Sequence, residues 1–176
     1  VFHLLVKSNC LIKRTTMNRF THHFCQILAW ILRIKIHAPQ APIMQSRLLC
    51  CNHLSYLDII ILASQFDCTF ITSVFMRQVP VLGQLCHAAG TINVNRRSRK
   101  TLKKELLTIS QVLKTGANVL LFPEATSTDG SLVRPFKATF FKSAQTASSS
   151  IQPLVLNYLS IDNQAVNINN RDALFW

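Results

Sequence analysis

Three polar segments interrupt an otherwise apolar chain. Each comes after a short run with the length of a β-strand, the second after the run 70–74 and a turn at Pro80 and Gly83. These segments comprise residues 52–58, 90–100 and 122–130. The runs 48–51 and 118–122 are almost continuously apolar, which is typical of strands buried on both faces of a parallel sheet. Apolar residues at 102–113 recur at the spacing of one helix face, and Gly116 follows as a cap. We therefore predict an α/β domain with a mainly parallel central sheet flanked by helices.

The length of 176 residues suits a single domain with a sizeable core. We expect an N-terminal membrane-associating segment at 1–40 and the α/β domain at 41–176. The chain begins with Val1 and ends abruptly at Trp176. We therefore expect either a short natural protein or a fragment whose C-terminus is incomplete.

The N-terminal segment carries an apolar stripe with basic residues at intervening positions. The stripe consists of Phe20, Phe24, Ile27, Leu28, Ile31 and Leu32. This pattern is typical of an amphipathic helix lying on a membrane surface, although a helix packed on the domain core would use the same stripe. The net charge of +12 favours the membrane, because basic residues are attracted to anionic lipids. No apolar run approaches the about 20 residues of a spanning helix.

His53 and Asp58 stand at a predicted strand-to-helix turn, where α/β proteins place reactive groups. Acidic residues are scarce, since Asp and Glu number 7 against 19 Lys and Arg. A carboxylate near a histidine can fix the ring tautomer and stabilise the imidazolium, which predicts a general base acting on a hydroxyl. Five residues of helix turn about 500°, so the pair can meet only if His53 precedes the helix. A buried histidine bonded to backbone groups is the alternative.

The second and third polar segments offer groups for an anionic ligand. Ile92 and Val94 alternate with asparagines, which predicts a half-buried strand leading to Arg96. The guanidinium of Arg96 suits bidentate contact with a phosphate or carboxylate. Glu124 directly follows an apolar strand, where a carboxylate needs a partner to offset its desolvation. Solvated turns are the alternative, including an Asp-Gly turn at 129–130.

Composition argues against a metal site and against nucleic acid as a partner. The six cysteines, at 10, 25, 50, 51, 68 and 86, lack the spacing of metal ligands. We predict buried, reduced thiols in a protein that faces the cytoplasm, with no metal and no cofactor. The sequence pI near 10 would suit a nucleic-acid binder, but the phenylalanines mostly belong to apolar periodic patterns rather than to exposed basic surfaces.

The motifs come in the order and spacing of a known family. Asn-His-x-Ser-x-x-Asp begins at Asn52, Gly-x-x-x-Val-x-Arg at Gly90 and Phe-Pro-Glu-x-Thr at Phe122, and an apolar strand at 151–156 contains Pro153. These four blocks resemble those of the glycerolipid acyltransferases, in particular the bacterial lysophosphatidic acid acyltransferases. The resemblance covers most of the chain.

The resemblance implies roles for individual residues. His53 falls on the family's base, which deprotonates an acceptor hydroxyl for attack on an acyl thioester, and Asp58 on the aspartate that orients it. Arg96 and Glu124 fall on residues implied in binding a glycerol phosphate acceptor. Further expected substrate-binding residues are Gly90, Thr126 and Lys137. A structural or solvated position is the alternative for Lys137.

Three positions depart from the family pattern. Ala125 replaces the usual glycine of the third block, and an alanine there is strained by about 1–2 kcal/mol if the backbone needs a positive φ. Asn95 stands where an acidic residue usually precedes the arginine, and Phe75 where many relatives carry a glutamate. We expect these departures to affect acceptor choice and rate rather than reaction type.

The resemblance implies an enzyme of phospholipid biosynthesis at the cytoplasmic face of the cell (inner) membrane. It would transfer a fatty acyl group from acyl-CoA or acyl carrier protein to lysophosphatidic acid, an anionic lysophospholipid, giving phosphatidic acid. A basic protein suits an acidic carrier, an anionic lipid and an anionic membrane. Two alternatives stay open: another acceptor, such as an amino-acid-headed lysolipid, and a non-catalytic lipid-binding relative.

Overall fold

The structure is a computed structural model, and it describes residues 2–38, 47–80, 82–95, 98–167 and 170. Helices and strands alternate along most of the chain, as predicted. The α-helices are α1 (Phe2–Ile31), α2 (Leu57–Gln65), α3 (Leu82–Ala88), α4 (Arg99–Lys114) and α5 (Lys142–Ala147). The strands are β1 (Arg47–Cys51), β2 (Cys68–Ser73), β3 (Ile92–Val94), β4 (Asn118–Leu121), β5 (Ser150–Leu154), β6 (Ser160–Ile161) and β7 (Gln164–Ala165). Two 3₁₀ helices span Val74–Gln78 and Ala138–Phe141.

Five strands form one parallel sheet in the order β3-β2-β4-β1-β5. Within it, β1 pairs with β4, where Leu49 lies opposite Leu120, and with β5, where Cys50 lies opposite Pro153. β5 is an edge strand, which is where sheets tolerate proline. The short strands β6 and β7 pair antiparallel with each other. The prediction of a mainly parallel sheet is confirmed.

Alternate residues of the central strands point into two separate apolar layers. On one face, Leu48 belongs to a buried cluster with Ile109 of α4. On the other face, Leu49 belongs to a cluster with Leu62 of α2 and Cys25 of α1. Because helices cover both faces, the central strands are apolar at nearly every position.

α1 lies against α2 with a face other than the predicted apolar stripe. Cys25 is buried on this face, and His22 Nδ1 lies 2.7 Å from the carbonyl oxygen of Ala63 in α2. Five of the six stripe residues are exposed, including Phe20 at 64% and Ile27 at 57%, whereas Leu28 is half-buried. The helix is therefore present and its stripe is not packed on the core, while membrane association stays a prediction. Of the helices that the structure describes, none has the length and apolar character needed to cross a bilayer.

Candidate active site

The carboxyl edge of the sheet brings together the segments that follow β1, β4 and β5. These strands are neighbours and run parallel, with β1 between the other two. Their ends therefore lead to the same edge, where α/β proteins place their binding sites. His53 follows β1, Glu124 follows β4 and Tyr158 follows β5.

His53 and Asp58 are in direct contact, with 2.8 Å between His53 Nδ1 and Asp58 Oδ2. His53 lies in the loop before α2 and Asp58 in the first turn of that helix, which is the arrangement that a five-residue spacing requires. The Asp58 side chain is fully buried, whereas that of His53 is 16% exposed. With Nδ1–H donating to the carboxylate, the neutral ring leaves Nε2 free to accept a proton.

The Asp58 carboxylate is held by three further donors. Oδ2 accepts hydrogen bonds from the backbone N–H of Leu54 at 2.6 Å and of Ser55 at 2.9 Å. The second oxygen, Oδ1, accepts the hydroxyl proton of Tyr158 at 2.6 Å. A buried carboxylate is costly unless such groups replace its hydration. Asp58 is thus an oriented and fully bonded anion, suited to stabilise an imidazolium.

The third polar segment folds over His53. The imidazole stacks on the ring of Phe122, with ring centroids 4.1 Å apart and planes 16° from parallel. The carbonyl oxygen of His53 accepts the N–H of Thr128 at 2.9 Å. Together with Asp58, these contacts restrict both the ring and its backbone, as efficient proton transfer by a positioned base requires.

Glu124 is buried, and its carboxylate has a partner within the protein. Oε2 accepts the backbone N–H of Arg134 at 3.0 Å, which ties the exposed loop at 129–137 back to the sheet edge. The next residue, Ala125, has a φ of 64°. The strain expected at this alanine is therefore present, because the left-handed region favours glycine.

Two further predicted residues, Thr126 in the third segment and Lys137 after it, lie on the surface. Thr126 is exposed, and its hydroxyl donates to the carbonyl oxygen of Ser127 at 3.4 Å. Lys137 is exposed, and its backbone N–H donates to the carbonyl oxygen of Pro123 at 2.8 Å. The main chain at Lys137 therefore lies beside the third segment. Arg96, from the second segment, lies outside the described residues.

Gly90 lies at the opposite edge of the sheet from His53. It precedes β3, whereas His53 follows the end of β1, and the strands of this sheet are parallel. Gly90 has a φ of 64°, and its carbonyl oxygen accepts a hydrogen bond from Arg14 Nη1 at 3.0 Å. Gly90 permits the turn before β3, and its role in substrate binding stays a prediction.

A carboxylate lies next to Asn95 although residue 95 itself is not acidic. The N–H of Asn95 donates to Oε1 of the buried Glu105 at 2.7 Å. Glu105 belongs to α4, so this carboxylate comes from a helix rather than from the strand end. The departure at Asn95 therefore does not leave the end of β3 without an acidic neighbour.

Four cysteines, Cys25, Cys50, Cys51 and Cys68, are buried and form no disulfide. Burial raises the pKa of Cys50 to about 12. Burial also raises the pKa of Cys51 to about 12, where the negative charge of Asp58 adds to the effect. The prediction of buried free thiols is confirmed for these four. Among the described residues, no group of three or more His, Cys, Asp or Glu side chains is placed to hold a metal ion.

Sequence reasoning misses two residues of this site, Asn52 and Tyr158. Oδ1 of Asn52 accepts the N–H of Leu156 at 2.8 Å, and its Nδ2 donates to the carbonyl oxygen of Leu156 at 2.9 Å. The signal available in the sequence is proximity, since Asn52 directly precedes His53 and Tyr158 closely follows the fourth block. The bond from Tyr158 joins residues 100 positions apart, and it depends on β5 lying beside β1.

This fold and the motifs at its carboxyl edge define a family. The chain belongs to the Acyltransferase family, whose model matches residues 33–157. The matching stretch contains the whole parallel sheet and both members of the His53–Asp58 pair.

Individual relatives are similar over most of this chain. The 1-acyl-sn-glycerol-3-phosphate acyltransferase of Neisseria gonorrhoeae is 35% identical over 121 residues, which cover 69% of this chain and 47% of the relative. The lyso-ornithine lipid O-acyltransferase of Pseudomonas aeruginosa is 32% identical over 155 residues, 85% of this chain and 57% of the relative. The chain thus spans about half the length of the curated relatives it matches.

A solved structure has the same fold. It is the 1-acyl-sn-glycerophosphate (LPA) acyltransferase PlsC from Thermotoga maritima, which matches with a TM-score of 0.54 at 15% sequence identity. The match covers 86% of this chain and 59% of that chain.

Proposed function

We propose that this protein is an acyltransferase that moves a fatty acyl group from an acyl thioester to the free hydroxyl of lysophosphatidic acid, giving phosphatidic acid. Acyl-CoA and acyl carrier protein are the proposed donors, and they act as co-substrates without a resident cofactor. The observation that supports the proposal most is the 2.8 Å contact between His53 and the buried carboxylate of Asp58, in a chain of the Acyltransferase family.

His53 acts as a general base in the proposed mechanism. Its Nε2 takes the proton of the acceptor hydroxyl while the hydroxyl oxygen attacks the thioester carbonyl carbon. The carbonyl electrons move to oxygen and form a tetrahedral oxyanion. When the carbonyl re-forms, the C–S bond breaks, and the leaving thiolate takes the proton from the imidazolium. Asp58 stays ionised throughout and stabilises that imidazolium.

Arg96 is the proposed phosphate-binding residue, through a charge-assisted and bidentate contact with the acceptor. Glu124, Thr126 and Lys137 are proposed to complete the acceptor site. Glu124 also anchors the loop at 129–137 through the N–H of Arg134. A substitution of Glu124 would therefore change the shape of the site as well as its contacts.

Lyso-ornithine lipid, an amino-acid-headed lysolipid, is a second candidate acceptor. Similar proteins from Rhizobium meliloti and Pseudomonas aeruginosa carry the name lyso-ornithine lipid O-acyltransferase. This alternative keeps the chemistry of His53 and changes the headgroup that the site must bind. A competition assay with both acceptors at equal concentration separates the two. Preferred acylation of lysophosphatidic acid supports the first proposal, and preferred acylation of the lyso-ornithine lipid replaces it.

We infer that the reaction takes place at the cytoplasmic face of the cell membrane. The exposed stripe of α1 offers an apolar contact, with Phe20 and Ile27 pointing outward. The net charge of +12 would attract the protein to anionic lipids. A lipid acceptor would then be presented directly at the surface that the enzyme occupies.

Release of free thiol from acyl-CoA in the presence of lysophosphatidic acid tests the chemistry. We expect activity in the wild type and a loss of at least about 10²-fold in His53→Ala, the scale of general-base catalysis. His87→Ala is the matched control, because His87 lies exposed in α3. Equal activity in the wild type and His53→Ala would contradict the mechanism, and no activity in either would favour a non-catalytic lipid-binding protein.

A further inference from the structure

Asp58 accepts a hydrogen bond from a side chain that lies 100 positions later in the sequence. The hydroxyl of Tyr158 donates to Asp58 Oδ1 at 2.6 Å, while His53 and two backbone N–H groups occupy Oδ2. Each oxygen of the carboxylate therefore has its own set of donors. A small rotation of the carboxylate about its Cβ–Cγ bond would lengthen bonds to both oxygens, so donors on the two sides fix the plane of the carboxylate relative to the imidazole.

Asn52 explains how Tyr158 reaches this position. The ladder between β1 and β5 ends with Cys51 opposite Leu154. Beyond it, the side chain of Asn52 bonds both the N–H and the carbonyl oxygen of Leu156, at 2.8 and 2.9 Å. An amide side chain thus continues the backbone pairing after β1 has ended and sets the path of the chain up to Tyr158.

The environment of Tyr158 keeps its hydroxyl protonated. Burial raises the pKa of Tyr158, and the hydrogen bond to Asp58 and the negative charge of that carboxylate raise it further. The phenol therefore remains a donor throughout the neutral range. The carboxylate, in turn, keeps its acceptor role as long as it is ionised.

We infer that Tyr158 is a positioning residue for the proposed acyl transfer, which orients the Asp58 carboxylate toward His53, and that Asn52 acts through it by holding the segment after β5. The inference rests on the proposed function of His53 as the base. In the absence of the phenol, Oδ1 is a buried acceptor without a donor, and the carboxylate is less restricted. The proton transfer at His53 then starts from a broader set of geometries.

Tyr158→Phe removes one hydroxyl and retains the ring. We expect kcat to fall about 10-fold. This is the lower end of the loss seen when a residue that orients a metal ligand is removed, and Tyr158 orients Asp58 in a comparable way. The KM values for both substrates should change less than about 2-fold. Tyr56→Phe is the matched control, since Tyr56 is the other tyrosine of the chain and is half exposed in the same loop as His53. We expect the control to retain wild-type kcat.

A spectroscopic measurement tests the same inference without acyl transfer. The His53 proton that lies between Nδ1 and Asp58 should give a far-downfield ¹H NMR resonance. In Tyr158→Phe the carboxylate loses the donor on its second oxygen and samples a broader set of orientations, so we expect this hydrogen bond to weaken on average and the resonance to move upfield. Tyr56→Phe should leave it in place. A resonance and a kcat that both match those of Tyr56→Phe would overturn the inference.

Asn52→Ala provides a second, independent variant. Because Asn52 acts through Tyr158, the double variant with Tyr158→Phe should lose no more kcat than the more damaged single variant. If the kcat losses of the two single variants multiplied in the double variant, Asn52 would act independently of Tyr158. The wild-type protein could release no thiol while the His53 Nδ1 proton resonance still differs between wild type and Tyr158→Phe. In that case the proposed function fails and the positioning of Asp58 by Tyr158 stands.

Discussion

The methyl group of Ala125 costs stability at a turn that glycine would adopt freely. Its φ of 64° lies in the left-handed region, where a side chain costs about 1–2 kcal/mol. Replacing Ala125 by glycine would relieve this strain. Glycine also makes the unfolded chain more flexible, which offsets about 0.4–1 kcal/mol of the stability gained. We expect Ala125→Gly to raise the free energy of unfolding by about 0.5–1 kcal/mol, measured by urea denaturation.

Ala138→Gly is the control for this change. Ala138 begins a 3₁₀ helix and is exposed, and it is not among the residues with positive φ. Glycine there should lower the free energy of unfolding by up to about 1 kcal/mol. If Ala125→Gly also lowered it, the backbone strain at Ala125 would be too small to matter.

Arg96 is the residue that we propose to select a phosphorylated acceptor. A charge-assisted hydrogen bond contributes roughly 1.5–3 kcal/mol, so we expect Arg96→Ala to raise the acceptor KM by at least about 10-fold. The KM of the thioester should change much less. Lys100→Ala removes one positive charge from an exposed position in α4 and serves as the control. A change confined to the thioester KM would assign Arg96 to donor binding instead.

At the scale of elements, the burial of β1 makes its two thiols chemically inert. Burial raises the pKa values of Cys50 and Cys51 to about 12, so only ~10⁻⁴ of either group is thiolate at pH 8. We expect neither to react with iodoacetamide in the folded protein at that pH, and both to react after unfolding. Mass spectrometry of the alkylated peptides measures this.

Cys86 provides the comparison within the same sample. It lies in α3 and is partly exposed, so its alkylation should precede that of Cys50 and Cys51. Alkylation of either β1 thiol at the rate of Cys86 would mean that β1 opens easily or is not buried. If Cys50 and Cys51 are not alkylated in the folded protein, they also do not interfere with an assay of released CoA.

The elements themselves are predictable wherever a pattern is local. The apolar runs at 48–51 and 118–122 correspond to β1 and β4, and the helix predicted at 102–113 corresponds to α4 (Arg99–Lys114). Gly116 has a φ of 88°, as expected for a helix cap. The contact between His53 and Asp58 is also predictable from local sequence, because both residues lie in one loop and the helix that follows it.

The rest depends on which elements become neighbours. Tyr158 reaches Asp58 because β5 lies beside β1, and sheet order is not written in any local pattern. Glu124 likewise bonds the N–H of Arg134, ten positions later, because the intervening loop returns to the sheet edge. Gly90 belongs to the same sequence block as Arg96, yet the length of β3 separates Gly90 from the carboxyl edge of the sheet.

At the scale of the whole molecule, charge and exposed apolar surface point to the same partner. The net charge of +12 is spread over a chain with 19 basic and 7 acidic residues. The stripe on α1 is exposed although the opposite face of the helix is packed on α2. A bilayer of anionic lipids satisfies both features, since it offers negative charge at its surface and hydrocarbon beneath.

Ile27→Asp tests whether α1 uses this stripe to bind membranes. Ile27 is 57% exposed, and burying such a side chain in a bilayer contributes about 1.5–3 kcal/mol. We therefore expect the substitution to weaken cosedimentation with vesicles of phosphatidylglycerol and phosphatidylcholine by at least about 10-fold. Gln111→Asp adds the same charge at an exposed position of α4 and should weaken binding much less. Equal losses in the two variants would mean that net charge alone attracts the protein and that the stripe has another partner.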